Sequence, residues 1–376
     1  MDGQLWQDCD MHPYLDHMPP SVLIKLLWSS SSCVRKLDTY GWHGLPGASL
    51  VNALNGSGAP ETSLRKLDLQ GCRDLAPKDL TWLVDHSPHL RWVSLKGLAG
   101  VDSYLWNSLK QLNALEYLDV SHCKMSSFSL SSHVDTPHTT KITHFLAAGL
   151  GSTPEMSLLA AIMPNLQVLD LSHCPTLKDQ DMLNFVYPPS IDWEPIWNRQ
   201  EVTGRHRNRV GKDIAFLTEE ESGQAGLIAC TNFVPRRVTR LKKLVLSECT
   251  GLTDQTCRYL AHAMPQLEVF EMAHADGNPG IRSTGLAAML STCPKIRKVD
   301  LEGAVEIDDE VLSALTPRET NIKDEVGSCL EVLSLGFADD VSLDAMLQLV
   351  RRCPRLKQLD VDVSGPSSLD ACRDVR

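Results

Sequence analysis

The chain has 376 residues, of which 43% are hydrophobic and 22% charged, with a formal net charge of −11. That acidic balance argues against a general nucleic-acid binder, which is usually basic, and no apolar run approaches the roughly 18 residues of a membrane span. The opening stretch, MDGQLWQDCDMHPYLDHMPP, lacks the basic and apolar segments of a secretory leader, so the expected location is cytoplasmic, nuclear or both.

In chain order, residues 1–60 are expected to form an amino-terminal capping region. Residues 20–30 read as a helix, and Val34-x-x-Leu37 as a weak first strand, because SCVRKLD at 32–38 matches TCPKIRKVD at 292–300. Gly41, Gly44, Pro46, Gly47, Gly56, Gly58 and Pro60 interrupt any longer helical module here. The spacing Leu-x-x-Leu-x-Leu then recurs. It begins at Leu64-Leu67-Leu69, Leu90-Val93-Leu95, Leu115-Leu118-Val120 and Leu166-Leu169-Leu171. It resumes at Leu241-Leu244-Leu246, Leu267-Phe270-Met272, Ile296-Val299-Leu301, Leu330-Leu333-Leu335 and Leu356-Leu359-Val361. Where no insertion intervenes, successive copies fall within the roughly 20–29 residue period of leucine-rich repeats.

Between the strands, residues 78–84 and 256–264 carry apolar side chains at helical spacing. Pro88, Pro164, Pro265, Pro294 and Pro354 each precede the next anchor and stop the helix, since the residue ahead of proline avoids the α region. The expected fold is an α/β leucine-rich-repeat solenoid of about ten to twelve units, a horseshoe with a parallel concave sheet and convex helices. It is expected over 61–365, with insertions near 124–155 and 187–238 and a tail at 366–376.

Residues 126–140 are rich in Ser, His and Thr without a strand pattern, which suggests one repeat with an inserted loop; a degenerate repeat around 142–146 is the alternative. In the second insertion, Pro188, Pro189 and Pro195 argue against a regular element. Trp193 and Trp197 precede a basic run at 205–212, followed by Glu219, Glu220 and Glu221. A solvated excursion, a partner-binding arm or a nuclear localisation patch would each fit.

The twelve cysteines invite a chemical reading. Cys72, Cys123, Cys174 and Cys249 stand at the same step after a first anchor, a column that Ala275, Ala304 and Ala338 occupy elsewhere. A small buried side chain suits a column where the chain turns inward, so reduced structural thiols are expected. Zinc would call for close pairs such as C-x-x-C, which do not occur. Repeats such as LRKLDLQGCRDL, LQVLDLSHCPTLKDQDM and LKKLVLSECTGLTDQTCRYLAHAMPQLE resemble the cysteine-containing leucine-rich repeats of the F-box/leucine-rich-repeat protein family. The resemblance covers most of 60–365. It implies a horseshoe that recruits a substrate protein, and an F-box that docks to a Skp1–cullin ubiquitin ligase. Residues 17–27 only echo an F-box opening, and the repeat strand at 32–38 follows too soon, so residues 20–30 are expected to belong to a capping repeat instead.

Alternate side chains of a strand face opposite sides, so one column should line the concave face. It reads Asp38, Asp68, Ser94, Asp119, Asp170, Val245, Glu271, Asp300, Ser334 and Asp360, an acidic spine. The neighbouring column brings Trp92 and Tyr117 onto adjacent repeats, with Lys36, Lys66, Lys243 and Lys298 elsewhere along it. The candidate site is therefore Asp68, Trp92, Tyr117, Asp119, Asp170, Glu271, Asp300 and Asp360. Its expected partner is a protein with a basic or mixed-charge segment; the bland alternative is that aspartate is simply the repeat's consensus. No G-x-G-x-x-G, phosphate-binding loop, G-x-S-x-G or H-E-x-x-H occurs. His122-Cys123 and His173-Cys174 share one repeat position and so read as consensus rather than as a nucleophile and its base. The expectation is a protein-interaction module with no catalytic residue, cofactor or metal: a substrate-recruiting or adaptor component resembling ubiquitin-ligase receptors. The alternatives are a ubiquitin-independent scaffold or, less well matched, a GTPase-activating leucine-rich-repeat protein, whose repeats run longer and place Asn at the cysteine column.

Overall fold

The computed structural model describes residues 7–14, 16–56, 58, 60–124, 139–187, 214–218, 233–274, 280–304, 307–318, 325–336 and 340–361. By internal contacts the chain divides into two units, Met1–Glu155 with Ile162–Leu166, and Met156–Ala161 with Gln167–Arg376. The architecture is an α/β leucine-rich-repeat solenoid, with six parallel strands in each unit among the described residues.

The first unit holds β1 (Asp8–Asp10), β2 (Lys36–Asp38), β3 (Lys66–Asp68), β4 (Trp92–Ser94), β5 (Tyr117–Asp119) and β6 (His144–Leu146). Each pairs with the next in parallel and without slip, so Cys9, Leu37, Leu67, Val93, Leu118 and Phe145 form one row. These central residues are buried, because each short strand turns one side chain toward the helices and the flanking two away. Helices Pro20–Ser30, Gly47–Leu54, Pro77–Asp85 and Ser103–Gln111 return the chain between strands. Pro20 and Pro77 occupy the first helical turn, where a missing N–H is tolerated. Asp102 caps the fourth helix by accepting from Leu105 N–H at 2.9 Å. Leu23 and Leu27, Leu80 and Leu83, and Leu105 and Leu109 bury one stripe of each helix against the strand anchors. Truncating such a leucine to alanine costs about 2–5 kcal/mol.

The second unit repeats the plan with β7 (Val168–Asp170), β10 (Lys243–Val245), β11 (Val269–Glu271), β12 (Lys298–Leu301), β13 (Val332–Leu335) and β14 (Gln358–Val361). Here the first residue of one helix reaches the next repeat. Asp179 accepts from Thr253 N–H at 2.8 Å, Thr253 Oγ1 at 2.7 Å and Thr256 Oγ1 at 2.6 Å. These bonds hold β7 and β10 as neighbouring repeats although a long segment separates them in sequence. Among the described residues no helix is long and apolar enough to cross a membrane.

Three stretches differ from the sequence reading. Of the two readings for the stretch near 124–155, the degenerate repeat around 142–146 is the one found, because β6 pairs with β5 there, so any inserted loop is shorter than expected. The anchors of this repeat are Ile142, Phe145 and Ala147, all buried, so an alanine hides the third leucine position. The oversized Phe145 packs edge-on to Trp106, with ring centroids 6.1 Å apart. An additional repeat strand, β1, lies ahead of the expected first one, with Cys9 and Met11 as its buried anchors. Within 187–238, β8 (Ile214–Thr218) and β9 (Phe233–Arg237) pair antiparallel, where prolines argued against any regular element. Residues 126–138, Trp193, Trp197, the basic run at 205–212, Glu219 to Glu221, Ala275, Ala338 and the tail at 366–376 lie outside the described residues.

Candidate functional site

Two rows of side chains stand on the open face of the first unit's sheet, away from the helices. The first runs Lys36, Lys66, Trp92, Tyr117 and His144, one residue per strand. Strands about 4.8 Å apart place neighbouring rings at stacking distance. Lys66 Nζ lies 4.5 Å over the Trp92 ring, and the Trp92 and Tyr117 rings stack with centroids 4.7 Å apart and 12° between planes. Tyr117 and His144 continue the row at 5.9 Å and 32°. Each such contact contributes about 0.5–1.5 kcal/mol, which orders the rings along the row. Lys36 at the end of the row pairs with Asp8.

The second row is acidic, and its aspartates share one local task. Oδ1 of Asp38, Asp68 and Asp119 accepts the backbone N–H two residues on, from Tyr40 at 3.2 Å, Gln70 at 3.1 Å and Ser121 at 2.9 Å. Asp10, Asp170 and Asp300 do the same with His12, Ser172 and Glu302. This is an Asx turn, in which a short acceptor stands in for a main-chain carbonyl as the strand ends. The acidic column is therefore a turn device before it is a surface. Asp68 and Asp119, expected on an accessible face, are only 9% and 7% exposed, because the adjoining strands cover them. Burial chiefly, helped by Asp38 and Asp119 and opposed by the Gln70 N–H and Lys66, pushes the Asp68 carboxyl up to about 6. Lys66 also pairs with Asp38 at 3.3 Å.

In the second unit the same row holds Asp170, Glu271, Asp300 and Asp360. Glu271 receives Lys298 at 2.9 Å and Lys243 at 3.3 Å. Burial alone would raise its carboxyl, but these two lysines hold it below the ordinary value. Lys298 stands 3.5 Å from Asp300 as well, and Asp360 accepts from Gln358 Nε2 at 2.6 Å. The part of the row from Lys243 to Asp300 is thus locally neutralised.

The four column cysteines are buried. Cys72, Cys123 and Cys249 donate through Sγ to carbonyls of the preceding repeat, those of Thr39 at 3.0 Å, Leu95 at 3.0 Å and Leu171 at 3.1 Å. A small side chain that can donate satisfies an inward-turned carbonyl there. Among the described residues no three His, Cys, Asp or Glu side chains gather where a metal could sit.

The structure thus brings Trp92 and Tyr117 into contact, places Asp68 and Asp119 in the adjoining row, and sets the other four acids in the second unit's row. His144 was not among the candidate site residues, although its strand was the alternative reading at 142–146; its place one repeat after Tyr117 was the available signal. No family model matches the chain. A chain of the yeast Rad7–Elc1 complex shares 16% identity, covering 93% of this chain and 79% of that one, with a TM-score of 0.45. An internalin (inlF) of Listeria monocytogenes shares 11%, covering 96% and 92%, with a TM-score of 0.42.

Proposed function

We propose that this is a protein-recognition module that holds a mixed-charge segment of a partner protein on the open sheet face of its first unit. The observation that carries the reading is the ladder Lys66, Trp92, Tyr117 and His144 across four strands, with the Trp92 and Tyr117 rings stacked. Aromatic side chains already fixed by their neighbours lose little freedom on binding, and such residues dominate interface energetics. The partner's charged groups would meet the Lys66–Asp38 pair at the end of the ladder, and its apolar groups the ring edges.

In this reading the module serves as an adaptor or substrate-recruiting component, and the resemblance of its repeats to those of F-box/leucine-rich-repeat proteins supports a ligase setting. A ubiquitin-independent scaffold is favoured by one observation: the helix Pro20–Ser30 packs against Gly47–Leu54 as one repeat against the next and leads directly into β2. Affinity capture with wild type and with the double variant Trp92→Ala, Tyr117→Ala tests the site. Proteins bound by the wild type should fall by about tenfold or more in the variant; equal capture by both would sink the proposal. Skp1 and a cullin among those proteins would favour the ligase setting, and their absence beside other stable partners the scaffold.

A further inference from the structure

One residue sits just ahead of each strand, and main-chain hydrogen bonds order these residues into a row. In the first unit the row runs Arg35, Arg65, Arg91, Glu116: Arg65 N–H donates to the Arg35 carbonyl at 2.6 Å, Arg91 to Arg65 at 2.8 Å, and Glu116 to Arg91 at 2.8 Å. In the second unit the same bonds link Gln167, Lys242, Glu268, Arg297, Glu331 and Lys357. That second row alternates in sign from Lys242 onward, so each of its carboxylates stands between two cations. Arg297 lies 3.8 Å from Glu268 and donates through Nε to Glu331 at 2.8 Å, while Lys357 donates to Glu331 at 2.6 Å.

The first row instead sets three arginines side by side. Only Arg91 has a carboxylate at hand, Glu116 at 3.8 Å; among the described residues Arg35 and Arg65 make no side-chain ion pair. Like charges on adjacent strands, about 4.8 Å apart, oppose each other. The fold could avoid this by alternation, as it does in the other unit. A second observation marks the same place: Arg65, Arg91, His89 and Ala114 line a cleft of about 170 Å³.

We infer that Arg35, Arg65 and Arg91, with His89, form a docking site for the clustered carboxylates of an acidic segment in a partner protein. Guanidinium groups fork onto both oxygens of a carboxylate at once. Three strands cover roughly 10 Å, about the length of three extended residues, so the row suits a short acidic run. A long nucleic-acid backbone would feel the repulsion of a chain whose net charge is −11. The inference rests on the recognition reading above and sharpens it: Lys66 neighbours Arg65, so a mixed-charge segment can lay its acidic part on the arginines and continue onto the aromatic ladder.

The test uses the full chain and fluorescence anisotropy of three labelled probes: octaglutamate, a serine-rich peptide with and without one phosphoserine, and a single-stranded oligonucleotide of matching charge. Arg65→Glu recreates in the first unit the alternation found in the second. It should weaken octaglutamate binding by about tenfold or more and leave the melting temperature equal to or above that of the wild type. Lys242→Glu, in the row of the second unit, should leave probe binding unchanged. Tighter binding of octaglutamate than of the phosphopeptide supports carboxylates as the occupant, and the reverse order overturns that assignment. Peptide binding that survives Arg65→Glu, or tightest binding of the oligonucleotide, overturns the inference. Neither result touches partner capture through Trp92 and Tyr117, so the two readings fail separately.

Discussion

The imidazole of His122 occupies the space that a side chain at Gly149, one repeat later, would need: a Cβ built there lies 2.6 Å from His122 Cε1 and closer still to Nδ1. His274 and Gly303 stand in the same relation, with the built Cβ 2.8 Å from His274 Cε1. All four residues have left-handed backbones, at φ 56° and 65° for the first pair and 51° and 75° for the second. A histidine in this turn row therefore demands glycine in the next repeat. His173 escapes the rule because Glu248 follows it and binds its Nδ1 through Oε2 at 2.8 Å.

Gly149→Ala is accordingly expected to lower stability by about 2–4 kcal/mol, part from the left-handed backbone and part from overpacking. Adding His122→Gly should recover the overpacking part, which urea unfolding of both single variants and the double variant would measure as a coupling energy. Strictly additive effects would show that the two residues do not compete for this space.

The repeat was legible because its leucines recur at a fixed period, and the two open-face rows were legible because each repeat contributes one residue to each. What escaped did so for local reasons. Ala147 and Cys9 fill anchor positions without looking like anchors. Pro235 stands in β9 opposite Phe216, in a two-stranded sheet where every strand is an edge and a missing N–H is tolerated. The contact between Trp92 and Tyr117 could be read from adjacency in the repeat. The burial of Asp68 and Asp119 could not, because it depends on side chains from neighbouring strands. Nor could the constraint linking His122 to Gly149, since a single repeat shows only a permissive turn.

Asp68 should give the fold a measurable pH dependence of its own. Its carboxyl ordinarily titrates at 3.8 and is raised to about 6 in the folded chain. Between those values the folded form keeps the proton while the unfolded chain has released it, so stability falls as pH rises through that window. The loss is complete above about pH 6 and reaches at most about 3 kcal/mol, one pKa unit being about 1.4 kcal/mol. Asp68→Asn keeps an oxygen for the Gln70 N–H and removes the charge. The variant is expected to match the wild type near pH 4 and to exceed it at pH 7–8. Unfolding midpoints across that range, taken as the difference between the two proteins, isolate this group; a constant difference would show that Asp68 is not the titrating residue.

The column cysteines should be chemically silent in the native protein. Burial pushes the thiol of Cys72 up to about 11 and those of Cys123 and Cys249 up to about 12. A thiol several units above ambient pH offers almost no thiolate, the species that attacks a disulfide reagent. The half-exposed Cys33 and Cys329 are the described cysteines that a reagent can reach. Labelling the native chain near pH 7.5 and mapping the modified peptides should therefore mark Cys33 and Cys329 and spare Cys72, Cys123 and Cys249 until denaturant is added. Cys123→Ala tests what the thiol does instead. It removes the donor to the Leu95 carbonyl and leaves a small void, and is expected to cost about 1–2 kcal/mol. Native-state labelling of Cys123 at the rate of Cys33, or an alanine variant as stable as the wild type, would contradict a structural role for this column.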